Sequence, residues 1–280
     1  MKVYEVVTQR LLKKMEEGII PWARGWKPKY HLPVNWVTGK PYQGMNLMLL
    51  NWNAQYATYK QINEAGGKVR KGAKSYPIIF WKTFEVEKEA KENSVTTETK
   101  YFLQYYSVFE VGIDTEGIER KELPPMPIYQ SKKLVESYLK SGIIINHGYP
   151  SASYEKERDA IRMPHPEAFK DINYYQKTLF HEMIHSTGHP SRLARPLDTK
   201  SENLKSYAKE ELIAEIGSSY LCYLTGIDSE AILNQNASYL QSWLRVLNDN
   251  PKMLITAASA AQKAAGYIEG CQTTQKAKVA

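Results

Sequence analysis

Cysteine is scarce in this sequence, because 280 residues contain only Cys222 and Cys271. Two cysteines supply neither a disulfide framework nor a Cys-x-x-Cys metal site, so we expect a reducing compartment, the cytoplasm. Apolar runs of about 18 residues are also lacking, which predicts no membrane-spanning helix and no membrane partner. The opening segment, MKVYEVVTQRLLKKMEEG, alternates charged and apolar residues like an amphipathic helix and lacks the apolar centre of a secretory signal.

Acidic residues are few in the first part of the chain. Residues 1–82 carry 14 Lys/Arg against 4 Asp/Glu, whereas the remainder carries 23 against 26. An excess of positive charge in one segment favours a polyanionic partner. A solvated basic surface without a partner explains the charge equally well, so charge alone leaves both interpretations open.

A proline-rich stretch, KELPPMPIYQSK, interrupts both helical and strand patterns. It predicts a linker at 123–132 between a first domain, 1–122, and a second domain, 133–280. The polar segment 85–100 separates two aromatic runs and is expected to be a long loop between strands. Helices are predicted at about 171–187, 207–225, 230–248 and 251–268, with short strands at GIIINHG and DAIRMP. A small sheet beside several helices indicates an α+β fold class.

The segment TLFHEMIHSTGHPSR contains the pattern His-Glu-x-x-His, formed by His181, Glu182 and His185. On a helix, residues four apart share a face, so both imidazoles can bind one metal ion. Asp171 is a suitable N-cap for that helix. An apolar stripe lies nearly opposite the histidines and consists of Ile172, Tyr175, Leu179 and Met183. Two unrelated histidines bonded to carbonyl groups remain the alternative.

A catalytic zinc site usually has a third protein ligand. Ser191 stands where the pattern H-E-x-x-H-x-x-G-x-x-H would need histidine, and His189 follows a glycine expected to end the helix. The better candidate is a second helix, SYAKEELIAEIGSSYLCYL, capped by Ser206. Its stripe of small and acidic residues makes Glu211 the expected third ligand and Glu215 the residue that orients a ligand histidine. The reverse assignment, and an ion-paired helix surface, both stay open.

This ligand set predicts Zn²⁺, with another divalent transition metal as the alternative. Glu182 is expected to act as general base on the water that the ion activates. The DAIRMP strand is expected to hold an extended peptide by strand addition at a sheet edge. The sequence assigns no residue to stabilise an oxyanion.

Aromatic and basic residues alternate in IPWARGWKPKYHLPVNWVTGKPYQGMNLMLLNW, and GGKVRKGAKSYP adds a basic turn. Aromatic faces stack on unpaired bases while cations follow the phosphates, so the pattern favours single-stranded nucleic acid. Placement of most of these aromatics in a core is the alternative, and about half of them are expected to be buried there. The candidate DNA-binding residues are Trp22, Arg24, Trp26, Lys27, Asn35, Trp36, Lys40, Tyr42, Asn46, Arg70, Lys71 and Lys74.

Two blocks of the sequence resemble the antirestriction protein ArdC family. PWARGW…NWVTGKPYQGMNLMLL is similar to that family's single-stranded-DNA-binding domain. YYQKTLFHEMIHSTGHPSRL…YAKEELIAEIGSSYL…YLQSWLRVL…AASAAQKAAGYI is similar to its zincin-like metallopeptidase domain. The resemblance implies a protein of plasmids, phages or conjugative elements that protects incoming DNA from restriction endonucleases. It also implies that His181, His185 and one glutamate bind the metal and that Glu182 is the catalytic acid/base. Ser186 departs from the aromatic residue often seen there.

Three functions remain open from the sequence. The first is a single-stranded-DNA-binding antirestriction protein with a metal-dependent peptidase centre. The second is a DNA-binding shield whose metal site is structural or latent, and the third is a DNA-associated metalloprotease with no part in antirestriction. Single-stranded DNA is the expected partner in each, and a protein substrate or a restriction endonuclease is a further partner left open.

Overall fold

The computed structural model describes residues 3–23, 31–90, 94–123, 128–228 and 237–279. In the amino-terminal part the elements are α1 (Val3–Glu16), β1 (Val34–Asn35), α2 (Asn46–Leu49), β2 (Gln55–Thr58), α3 (Tyr59–Glu64), β3 (Lys68–Val69), β4 (Tyr76–Ala90), β5 (Ser94–Glu110) and β6 (Thr115–Glu116). In the carboxy-terminal part they are α4 (Ser131–Leu139), β7 (Ile144–His147), β8 (Ser153–Glu155), β9 (Ala160–Met163), α5 (Ile172–Ser186), α6 (Leu204–Thr225), α7 (Ala237–Asp249) and α8 (Pro251–Val279). Sheets and helices occur in both parts, which confirms the α+β prediction.

The amino-terminal sheet has the strand order β1-β2-β5-β4, with β1 and β2 parallel and the other pairs antiparallel. β4 and β5 form a long hairpin in which Tyr76 lies opposite Val108 and Ala90 lies opposite Ser94. The prediction of a loop over 85–100 is therefore wrong. The β-branched residues of SVTTET favour extended backbone, and polarity alone does not distinguish a solvated strand from a loop.

The carboxy-terminal sheet has the order β7-β9-β8, with β9 parallel to β7 and antiparallel to β8. The DAIRMP strand, β9, is thus the central strand and not an edge. Its backbone groups are already paired on both sides, so the prediction of strand addition at this strand is wrong. An added peptide strand would have to pair with β7 or β8 instead.

The two helices expected to carry the metal ligands are both present. Asp171 caps α5 by accepting hydrogen bonds from the backbone N–H groups of the next turn, as predicted. Ile172 is 54% exposed and does not join the buried stripe of that helix. The cap of α6 is Asn203, whose side chain accepts from the backbone N–H of Ser206, so the assignment of Ser206 as the cap is wrong.

Other predicted boundaries shift by a few residues. The described part of the third predicted helix is α7, whereas positions 230–236 lie outside the described residues. The fourth helix, α8, extends to Val279 and not to 268. Within the segment expected to be a linker, α4 already begins at Ser131, and 124–127 lie outside the described residues. No helix in the described ranges is long and apolar enough to cross a membrane.

α5 and α6 pack closely because a glycine lies at their crossing. A Cβ atom added to Gly217 would lie 2.8 Å from Cδ1 of Ile184, which is fully buried. Such a distance is shorter than van der Waals contact, so a larger residue would push the helices apart. The small residues of α6 therefore bring its acidic face against the His-Glu-x-x-His helix.

The largest hydrophobic cluster among the described residues spans both parts of the chain, and two smaller clusters lie in the amino-terminal part. α1 packs against α7 and α8, and α8 packs in turn against α6 and α4. Leu11 of α1 is fully buried in this core, and the Thr8 hydroxyl donates to the Pro251 carbonyl at 2.6 Å. Trp22 meets Trp243 edge to face, with ring centroids 6.2 Å apart. The first helix is thus covered by the last helices of the chain.

Candidate functional site

The imidazoles of His181 and His185 project from α5 towards Glu211 of α6. Their Nε2 atoms lie 3.1 Å apart. Glu211 reaches both, at 3.5 Å from His181 Nε2 and 3.6 Å from His185 Nε2. One ligand atom from each of the three residues lies within 4.8 Å of the others. Two imidazole nitrogens and a carboxylate oxygen are a donor set that fits a divalent transition metal and leaves a position open.

A carboxylate lies behind each histidine ring. Glu210 Oε1 is 3.3 Å from His185 Nδ1, and Glu215 Oε1 is 3.8 Å from His181 Nδ1. A carboxylate on Nδ1 fixes the ring orientation and leaves the Nε2 lone pair for a metal. Glu210 is within hydrogen-bond distance of the His185 ring, whereas Glu215 lies beside the His181 ring but beyond that distance.

Glu210 is held by Arg195, which follows α5. The guanidinium donates to both oxygens of Glu210, at 2.7 and 3.0 Å, and also to the Thr187 hydroxyl and the Ile184 carbonyl. Such a bidentate ion pair restricts the carboxylate to one orientation. The sequence analysis identified neither residue as part of the site, since no motif spacing connects Arg195 to Glu210.

Mutual electrostatic effects shift the pKa values of this cluster. Burial lowers the pKa of His181, but its hydrogen bond to Glu211 and the charges of Glu215 and Glu182 outweigh burial, so the pKa rises above 6.5. Burial raises the pKa of Glu211, but the His181 hydrogen bond and both imidazoles outweigh this effect and lower it. Glu211 is therefore an ionised carboxylate next to the two rings.

Glu182 is the one carboxylate at this site without a structural partner. It is 8% exposed, and among the described residues nothing hydrogen-bonds or ion-pairs with it. Tyr207 lies one helical turn before Glu211, and burial together with Glu211 and Glu182 raises the pKa of Tyr207. His189, by contrast, is bonded to Ser191 and stays outside the cluster.

Three of the candidate DNA-binding residues are buried. Trp22 is 5% exposed against Trp243, and Tyr42 is 4% exposed. The side chain of Asn46 donates to the carbonyl of Ile79 and accepts from its N–H. None of the three presents a face or a free amide to a nucleic acid, so their assignment as DNA-contacting residues is corrected. The Pro- and Gly-rich segment places these side chains in a core rather than on an exposed platform.

Two further candidates have structural contacts. Asn35 Oδ1 accepts from the backbone N–H groups of Val37 and Thr38 and so shapes a turn. Trp36 donates from Nε1 to the Glu119 carbonyl, and the Lys121 ammonium lies 4.4 Å from the centre of its ring.

The remaining basic candidates lie on the surface or outside the described residues. Lys40, Lys71 and Lys74 are exposed. Arg70 is exposed too and forms an ion pair with Glu116 at 3.1 Å. Arg24, Trp26 and Lys27 lie outside the described residues. The described candidates thus separate into three buried residues, two partly exposed residues with structural contacts and a set of surface cations.

Comparison with known families divides the chain near the proline-rich segment. Residues 1–109 match the N-terminal domain of anti-restriction factor ArdC, and residues 133–260 match the zincin-like metallopeptidase family. Two crystal structures of the antirestriction ArdC protein from plasmid R388, one metal-free and one Mn(II)-bound, are similar throughout. Each is 31% identical with a TM-score of 0.74, and the matches cover 98% and 97% of this chain and 99% and 98% of theirs. The chain belongs to the ArdC antirestriction family.

Relatives of this ArdC-family chain include proteins of different length. It is 31% identical to a DNA primase TraC of Escherichia coli over 98% of its own length, but it spans only 28% of that protein. It is 30% identical to the uncharacterized protein y4eC of Sinorhizobium fredii, over 97% of this chain and 92% of the relative. The resemblance expected from the two sequence blocks is confirmed.

In this ArdC-family protein a buried arginine anchors the segment that follows α5. Arg192 is only 2% exposed in its side chain and donates to the Ser186 carbonyl at 2.7 Å and to Asp159 Oδ2 at 2.9 Å. Burial raises the pKa of Asp159, but hydrogen bonds from Arg192 and Tyr154 outweigh burial and lower it. The pair therefore connects the carboxy-terminal sheet to the end of α5.

We expect Asp159→Asn to lower the free energy of unfolding by about 3 kcal/mol at pH 7, since Arg192 then keeps its buried charge without a partner. Because the pKa of Asp159 is lower in the folded chain, its stabilisation is complete above the unfolded pKa of about 4 and is lost as the pH falls below it. Urea denaturation at pH 7 and pH 3 should show the difference between wild type and variant shrinking at pH 3. Asp249→Asn, at an exposed position, is the control; an equal loss at both pH values would contradict the prediction.

Proposed function

We propose that this ArdC-family protein binds single-stranded DNA and a divalent metal, zinc in the first instance, and protects incoming mobile-element DNA from restriction endonucleases. The observation that carries the proposal is the convergence of His181, His185 and Glu211 in a chain that matches an antirestriction protein over its whole length. The Mn(II)-bound structure of the R388 protein supports a divalent ion at such a centre. The cytoplasm, where incoming DNA meets restriction enzymes, is the proposed location.

His181, His185 and Glu211 are the proposed ligands. Glu215 is proposed to orient the His181 ring from the Nδ1 side, and Glu210 the His185 ring in the same way. Arg195 keeps Glu210 in place. A bound ion would supply Lewis-acid chemistry at this position. Glu211 rather than Glu215 is favoured as the ligand, because Glu211 lies near both Nε2 atoms whereas Glu215 faces Nδ1 of His181 and also pairs with Lys177.

Glu182 is the proposed general base. Its carboxylate is next to His181 in sequence, buried, and without a hydrogen-bond partner in the described part of the chain, so it is free to take a proton from water and return it to a leaving amine. Tyr207, one helical turn before Glu211 on α6, is a hydroxyl donor at the same site that no sequence motif indicated. The proposed substrates are peptides or proteins, and the peptide bond is the bond proposed to be cleaved.

The test is the variant Glu182→Gln, compared with Glu136→Gln at an exposed position of α4. Removal of a general base costs roughly 100- to 10,000-fold in rate, whereas the ligands are unchanged. We therefore expect Glu182→Gln to keep stoichiometric metal and single-strand affinity and to lose protection of unmodified DNA from restriction. Metal content, oligonucleotide binding and survival of incoming DNA are the three measurements.

Other results of this experiment select other functions. If Glu182→Gln protects DNA as well as wild type while metal stays bound, hydrolysis is not needed and the protein is a DNA-binding shield. If wild type cleaves proteins on DNA but gives no protection, it is a DNA-associated protease outside restriction. Loss of protection by Glu136→Gln as well would show that the assay reports folding rather than chemistry.

A further inference from the structure

A cleft of about 930 Å³ lies between the amino-terminal sheet and α8. One wall is the turn at 38–46 together with the start of β4. The opposite wall is one face of α8, where side chains three or four positions apart lie on the same side of the helix. The residues of that face are Ile255, Ser259, Gln262 and Lys263. Gln262 and Lys263 lie beyond both segments that the family models match, which end at residues 109 and 260.

Among the described residues, the charged side chains that line the cleft are all positive. Lys40 and Lys263 stand on opposite walls, both exposed, and neither forms an ion pair with a described carboxylate. No aspartate or glutamate is among the described residues that line the cleft. A second groove, at the start of α8, also has lysines, but Glu5 and Asp249 lie among them. Only the first of these two grooves therefore offers uncompensated cations to a polyanion.

The wall formed by the turn and the start of β4 is largely apolar and includes an aromatic face. Phe80 is 43% exposed, and its ring meets Tyr106 edge to face at 6.0 Å. Ile78 and Met45 are among the apolar residues beside them. An exposed aromatic ring in the same cleft as two cations is the combination that binds unpaired bases together with their phosphates. A duplex, whose bases are already stacked, gains nothing from such a ring.

The two walls are fixed to each other. The Gln262 side chain accepts a hydrogen bond from the backbone N–H of Gly44 at 3.2 Å, which links α8 to the turn across the base of the cleft. Helix α8 also packs on α6. The turn that carries Lys40 is thus tied to the helix that carries Lys263, so the backbones of the two walls need little ordering when a ligand enters.

We infer that a single strand of DNA binds in this cleft, with its phosphates near Lys40 and Lys263 and a base on Phe80. The inference rests on the proposed single-strand binding and adds a contact from the carboxy-terminal half of the chain. The cleft is not lined by the basic turn that the sequence favoured for DNA contact, which contains Arg70, Lys71 and Lys74.

The experiment measures anisotropy of a labelled oligothymidylate with the full-length protein. Lys263→Glu, Lys40→Glu and Phe80→Ala are compared with Lys252→Glu, which makes the same charge change on the same helix but in the second groove. We expect Kd to rise about tenfold for each cleft variant, because a phosphate contact or a stacked base is lost. Lys252→Glu should stay within about twofold. Lys263→Ala should lower the slope of log affinity against log salt by about 0.7.

The outcomes separate the inference from the proposed function. If wild type does not bind the oligonucleotide at any salt concentration, single-strand binding itself is wrong. If wild type binds and the three cleft variants match Lys252→Glu, the strand lies elsewhere and the cleft is overturned. Helical circular dichroism identifies a variant that fails to fold, and Lys263→Ala, which only truncates an exposed side chain, then decides the question.

Discussion

His185→Ala is expected to remove stoichiometric metal from the protein. The ring nitrogen that faces Glu211 and His181 disappears, and two remaining donors hold an ion at least about 100-fold more weakly than three. Metal analysis of protein purified without chelator should give about one ion per wild-type chain and close to none for the variant. His189→Ala is the matched control, because that histidine lies outside the cluster.

A graded series identifies the third ligand. Glu211→Gln should lose metal nearly as completely as His185→Ala, whereas Glu215→Gln and Arg195→Gln, which leave all three proposed ligands in place, should weaken binding by about 10- to 100-fold. If Glu215→Gln loses the metal and Glu211→Gln keeps it, the roles of the two glutamates are reversed. If His185→Ala keeps a full complement, the ion is held elsewhere.

Leu11→Ala is expected to destabilise the whole molecule and not only its amino-terminal part. Leu11 is fully buried in the core that α1 shares with α7 and α8, and such truncations cost about 2 to 5 kcal/mol. Urea unfolding followed by helical circular dichroism and by tryptophan fluorescence should shift to lower urea together, in one transition. Lys13→Ala, on the exposed side of the same helix, should change the midpoint little.

Two separate transitions would contradict this expectation. If α6 and α8 stayed helical while the amino-terminal sheet unfolded in Leu11→Ala, the two parts would be independent units despite their common core. That outcome would also favour residues 1–122 as a domain that folds alone, whereas a single transition means that DNA binding is best measured on the complete chain.

Helix α5, with its His-Glu-x-x-His pattern, was predictable because the evidence for it is local. Asp171 as the cap and the four-residue spacing of His181 and His185 depend on nothing outside one helix. Glu211 could be selected because its own helix is apolar apart from an acidic stripe. Glu210 and Arg195 could not be selected, since their contact joins α6 to a segment of irregular backbone whose path no periodicity describes.

The exposure of aromatic residues could not be predicted from their spacing. Trp22 was expected to stack on bases, but its ring is covered by Trp243, far along the chain. Likewise, the wall of the cleft that carries Lys263 comes from a helix that the sequence analysis assigned to the other domain. Composition indicated a single-strand partner, whereas long-range packing decides which residues remain available to meet it.

The contact between Thr8 and Pro251 joins residues 243 positions apart. Ribosomes add about 5 to 20 residues per second, so roughly 12 to 50 seconds separate the synthesis of these partners. During that interval the part of the α1 surface that packs on α8 lacks its partner, and exposed apolar surface of this kind is what chaperones recognise. A chain that ended before α8 would keep the contact of α1 with α7 but leave the rest of that surface exposed, and we expect quality-control proteases to remove such a chain.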